Sequence, residues 1–263
     1  MLNVLSWSGG KDSTASVILD HTRNGHKVDL IITCLNYFDK SRGIFADHPK
    51  HIDFVFYAKK VFESWGYKVV IVSSEHDYLY WFYKVRTERC KHKERVGKYY
   101  GFLLGDMCQM QGEKVKPIKE YLKGLNCEYT EVVGIGIDEP ERLARTHRGG
   151  QISLLEKFDM TTKDAKSLCE KYNLLSPLYE KVSRQGCWFC PNQNIKEFAN
   201  LKKEYPHLWA ELEKLAEEKN ICTRNFTYGK TFEQVKNEIC EMEKQISMFD
   251  LIENKGELKD ENN

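Results

Sequence analysis

Six consecutive residues near the start of the chain, Ser8-Gly9-Gly10-Lys11-Asp12-Ser13, have the types and spacing of an oxyanion site. Glycines let the backbone come close to an anion, and the unpaired N–H groups of a helix's first turn point at it. Ser8 and Ser13 add hydroxyl donors, and Lys11 adds a mobile positive charge. The spacing is too short for the G-x-x-x-x-G-K-[ST] loop. The chemistry such a turn suits is the grip of a phosphate chain. The plainer alternative is a Gly-Gly turn that only joins a strand to a helix.

Three further sets of residues could do chemistry. Cys187-x-x-Cys190, followed by Pro191, has metal-ligand spacing, but two thiolates alone do not make a stable site. A redox disulfide, or two thiols in a tight turn, would use the same spacing. Arg142 and Arg145 lie three apart, hence on one helix face, and are candidate stabilisers of a phosphate or an anionic acceptor. Residues 84–98 carry seven Lys or Arg against two Glu, a net of +5, with His92 besides. That run reads either as a solvated face or as a basic lid over a phosphate-bearing substrate or nucleic acid. Tyr83, Tyr99, Tyr100 and Phe102 flank it, placed to stack on bases or to pack in a core.

Alternating strands and helices must position these groups. Leu2 to Ser6 predicts a buried strand, and Ser13 to Asn24 a helix that Gly25 ends. Val28–Asn36 and Tyr67–Ser73 predict further strands, with a loop over Tyr37–Ala46. Between them Asp47 is expected to cap a helix with Pro49 in its first turn. Its apolar face reads as Ile52, Val55, Phe56, Phe62 and Trp65. A short helix after Lys114-Val115-Lys116-Pro117-Ile118 and a fourth strand over Tyr129–Ile137 follow. Thr161 with Asp164 predicts a capping box. Cys34 and Cys169 are expected in the core. Strands apolar on both faces imply a parallel twisted sheet with helices on both faces, and ligands in such sheets bind at the strands' carboxyl ends. The Ser8–Ser13 turn and Asn36 both fall there. The expected organisation is an α/β domain over 1–191, a C-terminal helical extension over 192–252 broken at Pro206, and a disordered polar tail over 253–263.

The composition bounds the partners. The chain has 263 residues, with 40 Lys+Arg against 39 Asp+Glu, so no global field selects a polyanion. No run of 18 apolar residues exists, so no membrane span is expected. The first strand begins without a basic, apolar leader, which suggests a cytoplasmic protein whose nine cysteines are mostly reduced.

Ser8–Ser13 resembles the PP-loop of the ATP pyrophosphatase superfamily, SGGKDS, in which the loop grips the β- and γ-phosphates of ATP and reaction occurs at the α-phosphorus. Later segments look like the PAPS reductase branch of that superfamily. Cys108 with Lys114–Pro117 resembles its Lys-Val-x-Pro segment. Gly134–Arg142 resembles its Gly-x-Arg-x-x-Glu-Ser stretch, and Pro177–Cys190 its Pro-Leu-Tyr…Gly-Cys-x-x-Cys stretch. The resemblance spans residues 2–191 and implies that Gly134 borders the nucleotide and that Cys108 joins Cys187 and Cys190 as a third ligand. Cys222, His207 or an exogenous group could be the fourth. The metal implied is a 4Fe-4S cluster or Zn²⁺. Gly136 stands where the family often has Arg, Pro140 where it has Ser, and the family's C-terminal Glu-Cys-Gly-Leu-His-like tail is missing.

Retention of Lys11 favours ATP over a sulfonucleotide, because terminal phosphates need countercharge. The expectation is an ATP-using enzyme with Mg²⁺ that adenylates an acceptor, releases pyrophosphate and is linked to sulfur transfer. Lys11 and Asp12 would be central, with Ser8, Gly9, Gly10 and Ser13 holding the phosphates. Its partners would be an acceptor, nucleic acid among the candidates, and a sulfur-donor protein. A PAPS or adenylyl sulfate reductase, and a non-catalytic nucleotide- and nucleic-acid-binding module, are the rivals.

Overall fold

The computed structural model describes residues 1–180 and 186–245. Along the chain, β1 (Leu2–Ser6) runs into α1 (Lys11–Thr22), then β2 (Leu30–Cys34). A small antiparallel pair, β3 (Tyr37–Asp39) and β4 (Ile44–Phe45), leads to α2 (Pro49–Ser64), β5 (Val69–Val72) and α3 (Tyr78–Phe82). Next come β6 (Tyr99–Gly101), α4 (Met110–Gly124), β7 (Tyr129–Val133), α5 (Pro140–Arg148), β8 (Ile152–Ser153), α6 (Leu154–Lys157) and α7 (Thr162–Lys171). The chain continues through α8 (Ile195–Glu204), α9 (Pro206–Glu217), β9 (Ile221–Thr223), β10 (Asn225–Thr227) and β11 (Lys230–Thr231). Residues 232–245 are helical.

The chain divides into two compact units, each built from two stretches of sequence. Met1–Leu79 with Gln109–Trp188 forms the first, and Tyr80–Cys108 with Phe189–Asn263 the second. Residues 80–108, expected within the α/β domain, group instead with the C-terminal part.

The first unit holds a five-stranded parallel sheet in the order β5-β2-β1-β7-β8. Its register places Val69, Ile31, Leu5 and Val132 in one row. Because side chains alternate along a strand, that row faces one side, where it packs with α1, α2, α6 and α7 residues such as Val17, Ile18, Val55, Phe62, Leu155 and Cys169. Val4, Leu30 and Ile32 face the other side, against Leu122 of α4. Helices therefore cover both faces. The chain steps outward from β1 to β2 and β5, then returns to the far side of β1 with β7 and β8. The switch point lies between β1 and β7.

Several local expectations are corrected. Residues 37–45 form the β3–β4 pair rather than a plain loop. His48, not Asp47, caps α2, its ring nitrogen accepting from the Lys50 amide at 3.3 Å. Phe54 is buried in place of Phe56, which is exposed. The fourth strand stops at Val133, four residues early. A 15-residue α4 runs straight through Pro117. Proline cannot donate to the carbonyl four residues back; the freed Glu113 oxygen lies 3.7 Å from Cys34 Sγ, whose nearer acceptor is Asn36 Oδ1 at 3.3 Å. The capping box of Thr161 and Asp164 is present, and Cys34 and Cys169 are buried. Buried Asp20 closes the turn from α1 to β2. It accepts from Asn24, the Lys27 and Val28 amides, and Tyr67 Oη at 2.8 Å.

The second unit is not wholly helical. Tyr99–Gly101 pairs with Ile221–Thr223, and β10 with β11. Gly101 is required there, since a Cβ would meet the Thr223 carbonyl oxygen at 2.5 Å. Its core is aromatic: Phe102, Phe198 and Phe232 surround Phe226 at 5.0–5.3 Å. The break at Pro206 is present, as the first residue of α9. The basic run forms an irregular hairpin, with Arg86 N bonded to Lys98 O at 2.8 Å and Tyr100 N to Lys84 O at 2.9 Å. Residues 181–185 of the Pro177–Cys190 stretch, and the expected tail over 253–263, lie outside the described residues.

Candidate functional site

The Ser8–Ser13 turn sits at the carboxyl end of β1, beside the switch point. Two anchors fix its root: Trp7 Nε1 donates to Thr14 Oγ1 at 3.0 Å, and the Trp7 ring meets Phe62 edge-on at 5.0 Å. Gly9 takes φ +73°, a conformation open to glycine and strained for other residues. Hydroxyl oxygens organise the loop amides. Ser8 N donates to Ser13 Oγ at 3.2 Å, Gly10 N to Ser8 Oγ at 3.3 Å, and Lys11 N to Tyr179 Oη at 3.1 Å. The N-cap of α1 is Gly10, which has no side chain to cap the helix. A phosphate oxygen offers these donors a stronger, charged acceptor than a hydroxyl does.

Lys11 Nζ contacts both Asp12 oxygens, at 2.7 and 3.0 Å, and both side chains stay about a quarter exposed, at 22% and 24%. Burial raises the Asp12 pKa above the usual carboxylate value; Lys11 opposes the rise, Glu139 adds to it and Arg142 opposes it. Those last two residues come from the turn after β7 and the first turn of α5. Arg142 forms an ion pair with Glu139, whose Oε2 is buried without a partner among the described residues. Arg145 is exposed and its Nε reaches back to the Glu141 carbonyl at 3.4 Å. The structure thus associates Arg142, and not Arg145, with the loop's charges.

Gly134 belongs to the site for a steric reason. A Cβ on it would meet the Asp12 carbonyl oxygen and the Ser13 nitrogen at 2.5 Å. The turn after β7 therefore lies flush on α1's first turn, and only glycine permits that. At Gly136 a Cβ would crowd Asp138 Oδ1 and stand 2.9 Å from Thr162 N. Asp138 is held there by Thr162, through N at 2.9 Å and Oγ1 at 2.7 Å. A family-like arginine at 136 has no room in this arrangement.

Asn36 is fully buried and spent internally, its Nδ2 donating to the Met110 carbonyl at 3.3 Å and its carbonyl accepting from Ala46 N at 2.8 Å. It holds the loop after β2 to α4 and offers no exposed group to a ligand. Cys187 lies in the first unit, backbone-paired with Asp47, whereas Cys108 and Cys190 lie in the second. Among the described residues no three His, Cys, Asp or Glu side chains gather to hold a metal ion.

Sequence reasoning missed His51, Asp47 and the role of Tyr179. His51, on α2, is 4% exposed and packs against Gly9. Asp47 is buried and ion-paired with Lys114. Desolvation opposes the charge on Lys114, but Asp47 and then the Cys187 and Cys34 thiols raise its pKa above the usual lysine value. The one available signal was a histidine on the apolar stripe of α2, four residues before Val55.

No family model matches the chain. An uncharacterized protein of Methanocaldococcus jannaschii is 26% identical over 231 residues, which is 82% of this chain. The chain spans about 41% of that relative's length.

Proposed function

We propose that this chain is an adenine-nucleotide enzyme of the PP-loop type, which cleaves ATP between its α- and β-phosphates, adenylates an acceptor and releases pyrophosphate, in a reaction linked to sulfur transfer. One observation carries the reading. The Ser8–Ser13 loop stands at the carboxyl end of the central strand, at the switch point of a parallel sheet, with the Gly134 turn laid flush against it. Ligands of doubly wound sheets bind at that place.

Three other motif segments support it by touching the loop or its neighbours. Tyr179 accepts from Lys11 N, Gly134 covers the Asp12–Ser13 peptide, and Lys114 pairs with Asp47 one turn before His51. In the proposed role Lys11 and the loop amides hold the leaving pyrophosphate, and Arg142 balances charge at the transferred phosphate. Asp12 suits Mg²⁺: it is partly desolvated, and one or two carboxylates plus phosphates are that ion's usual protein-side donors. When bound, Mg²⁺ neutralises phosphate oxygens.

The test is incubation with ATP labelled at the α-phosphate together with candidate acceptors. Labelled adenylate and equimolar pyrophosphate are expected, both lost in Lys11→Ala. Sulfite release from adenylyl sulfate with a thiol reductant, in place of these products, would establish the reductase reading. For the acceptor, the exposed Arg89, Lys91, Lys93, Arg95 and Lys98 of the basic hairpin favour a nucleic acid. The flanking rings do not serve as a stacking platform. Phe102 is buried, Tyr100 lies under Arg86 at 3.6 Å, and Tyr99 meets Tyr83 edge-on. Contacts would therefore run to phosphates, with binding that weakens steeply as salt rises.

A further inference from the structure

We infer that Tyr179 is a phosphate-binding residue of the Ser8–Ser13 loop, its hydroxyl giving a hydrogen bond to the phosphate oxygen that arrives at the Lys11 amide. The inference rests on reading that loop as a nucleotide site. Each hydroxyl at the loop has one hydrogen to give. Ser13 Oγ donates to the Gly10 carbonyl at 3.2 Å, which leaves Ser8 Oγ to donate to Ser13 Oγ at 3.1 Å. Both serine hydrogens are therefore spent inside the loop. Tyr179 Oη accepts from Lys11 N at 3.1 Å, and among the described residues its own hydrogen has no acceptor. A hydroxyl that stands at the first turn of α1 with a donor to spare suits an anionic oxygen.

The peptide that Tyr179 meets is held from both sides. Cys169 Sγ donates to the Lys11 carbonyl at 3.2 Å, while Tyr179 takes the Lys11 N–H. Burial pushes the Cys169 thiol up to about 12, so it stays a donor. Gly134 lies on the next peptide, between Asp12 and Ser13. Tyr179 is placed by its own turn, its N–H bonding the Ser176 carbonyl at 3.1 Å beside buried Leu178. The Lys11 amide and the hydroxyl are thus both fixed before any ligand binds, which lowers the cost of ordering them. An oxygen that takes the Lys11 N–H comes beside the hydroxyl. A small turn of the half-buried ring then makes Tyr179 the oxygen's second donor in place of the amide's acceptor. Burial raises the Tyr179 pKa above its ordinary value of 10; the Lys11 amide bond opposes this, and Asp12 and Cys169 reinforce it. The phenol therefore stays protonated at neutral pH, as a donor to an anion must.

The experiment measures binding of α,β-methylene-ATP with Mg²⁺ to the native chain, to Tyr179→Phe and to Tyr179→difluorotyrosine, with circular dichroism and melting curves on each. Phenylalanine keeps the ring and loses the hydroxyl, whereas fluorination keeps the hydroxyl and makes it a stronger acid. The expected loss for Phe is about tenfold or more at native fold content, the scale of one hydrogen bond to a charged oxygen. The difluorotyrosine chain should bind at least as tightly as the native chain while its phenol is protonated, and lose affinity as pH rises through that ionisation. A hydroxyl that only shaped the loop, as the acceptor for Lys11 N, would keep that role when ionised. Phe binding as tightly as the native chain, or more tightly, would mean that phosphate merely displaces the hydroxyl; it overturns the inference and leaves the nucleotide reading standing. A difluorotyrosine pH profile that matches the native one does the same. No binding by the native chain overturns both. Should the Phe variant not fold, the difluorotyrosine profile decides the matter.

Discussion

Asp12 keeps its charge against its surroundings. Burial raises its pKa in the fold, so its contribution to stability is fully present below the ordinary Asp value of 3.8 and is lost as pH rises through the raised value. At neutral pH the ionised form is therefore a cost to the unliganded fold, which a bound cation would remove. Asp12→Asn should consequently leave the denaturant midpoint at pH ~7 unchanged or higher, while weakening Mg²⁺-dependent ATP binding by about tenfold or more. Paired unfolding curves and calorimetric titrations check both halves; a variant that is both less stable and fully active would contradict this account. Gly134→Ala acts by a different route. Its methyl must displace the α1 backbone, costing about 1–3 kcal/mol as overpacking does. Because the displaced atoms are those of Asp12 and Ser13, nucleotide affinity should fall along with the melting temperature.

The element that most needs its partners is α4. It continues through Pro117 with the freed Glu113 carbonyl turned toward Cys34 of β2, and it carries Lys114 to Asp47. Asp47 is 2% exposed, so Lys114→Met strands a buried carboxylate. Fully buried pairs lose about 3–5 kcal/mol when one partner is removed. Lys114 keeps 35% of its side chain exposed, so water screens part of that and about 2–3 kcal/mol is expected. The double variant Asp47→Asn/Lys114→Met should recover much of the loss, because no charge is then left unpaired. Chemical denaturation of the four proteins of this cycle measures the coupling; a loss in the double variant equal to the sum of the two single losses would show that the pair contributes nothing.

At the scale of the whole chain these charges give the stability curve its shape. His51 is held neutral, so its contribution is present above the unfolded value of 6.5 and is lost as pH falls through its lower folded value. Hydrogen bonds to Asp138 and Asp39 outweigh desolvation and lower their pKa values, so their contributions disappear below about 3.8. Acid unfolding should begin in the histidine range and steepen in the carboxylate range, and His51→Gln should remove the first limb in melts taken across pH. Among the described residues no helix is long and apolar enough to cross a membrane.

Local patterns of residues specify the parallel α/β sheet, the strand–turn–helix that carries Ser8–Ser13, the Thr161 capping box and the break at Pro206. Each of these is written in neighbouring residues as periodicity, turn chemistry or a cap, and local patterns survive folding when nothing distant opposes them. Long-range packing sets the rest. The passage of α4 through Pro117 takes place against β2, where the freed Glu113 carbonyl meets Cys34. Asp47 pairs with Lys114 instead of capping a helix, and Asn36 turns inward to α4. His51 comes to lie on Gly9, and residues 80–108 join the C-terminal part of the chain. All five depend on contacts between residues far apart in sequence, where the free energy of a buried pair outweighs the local preference that a sequence displays.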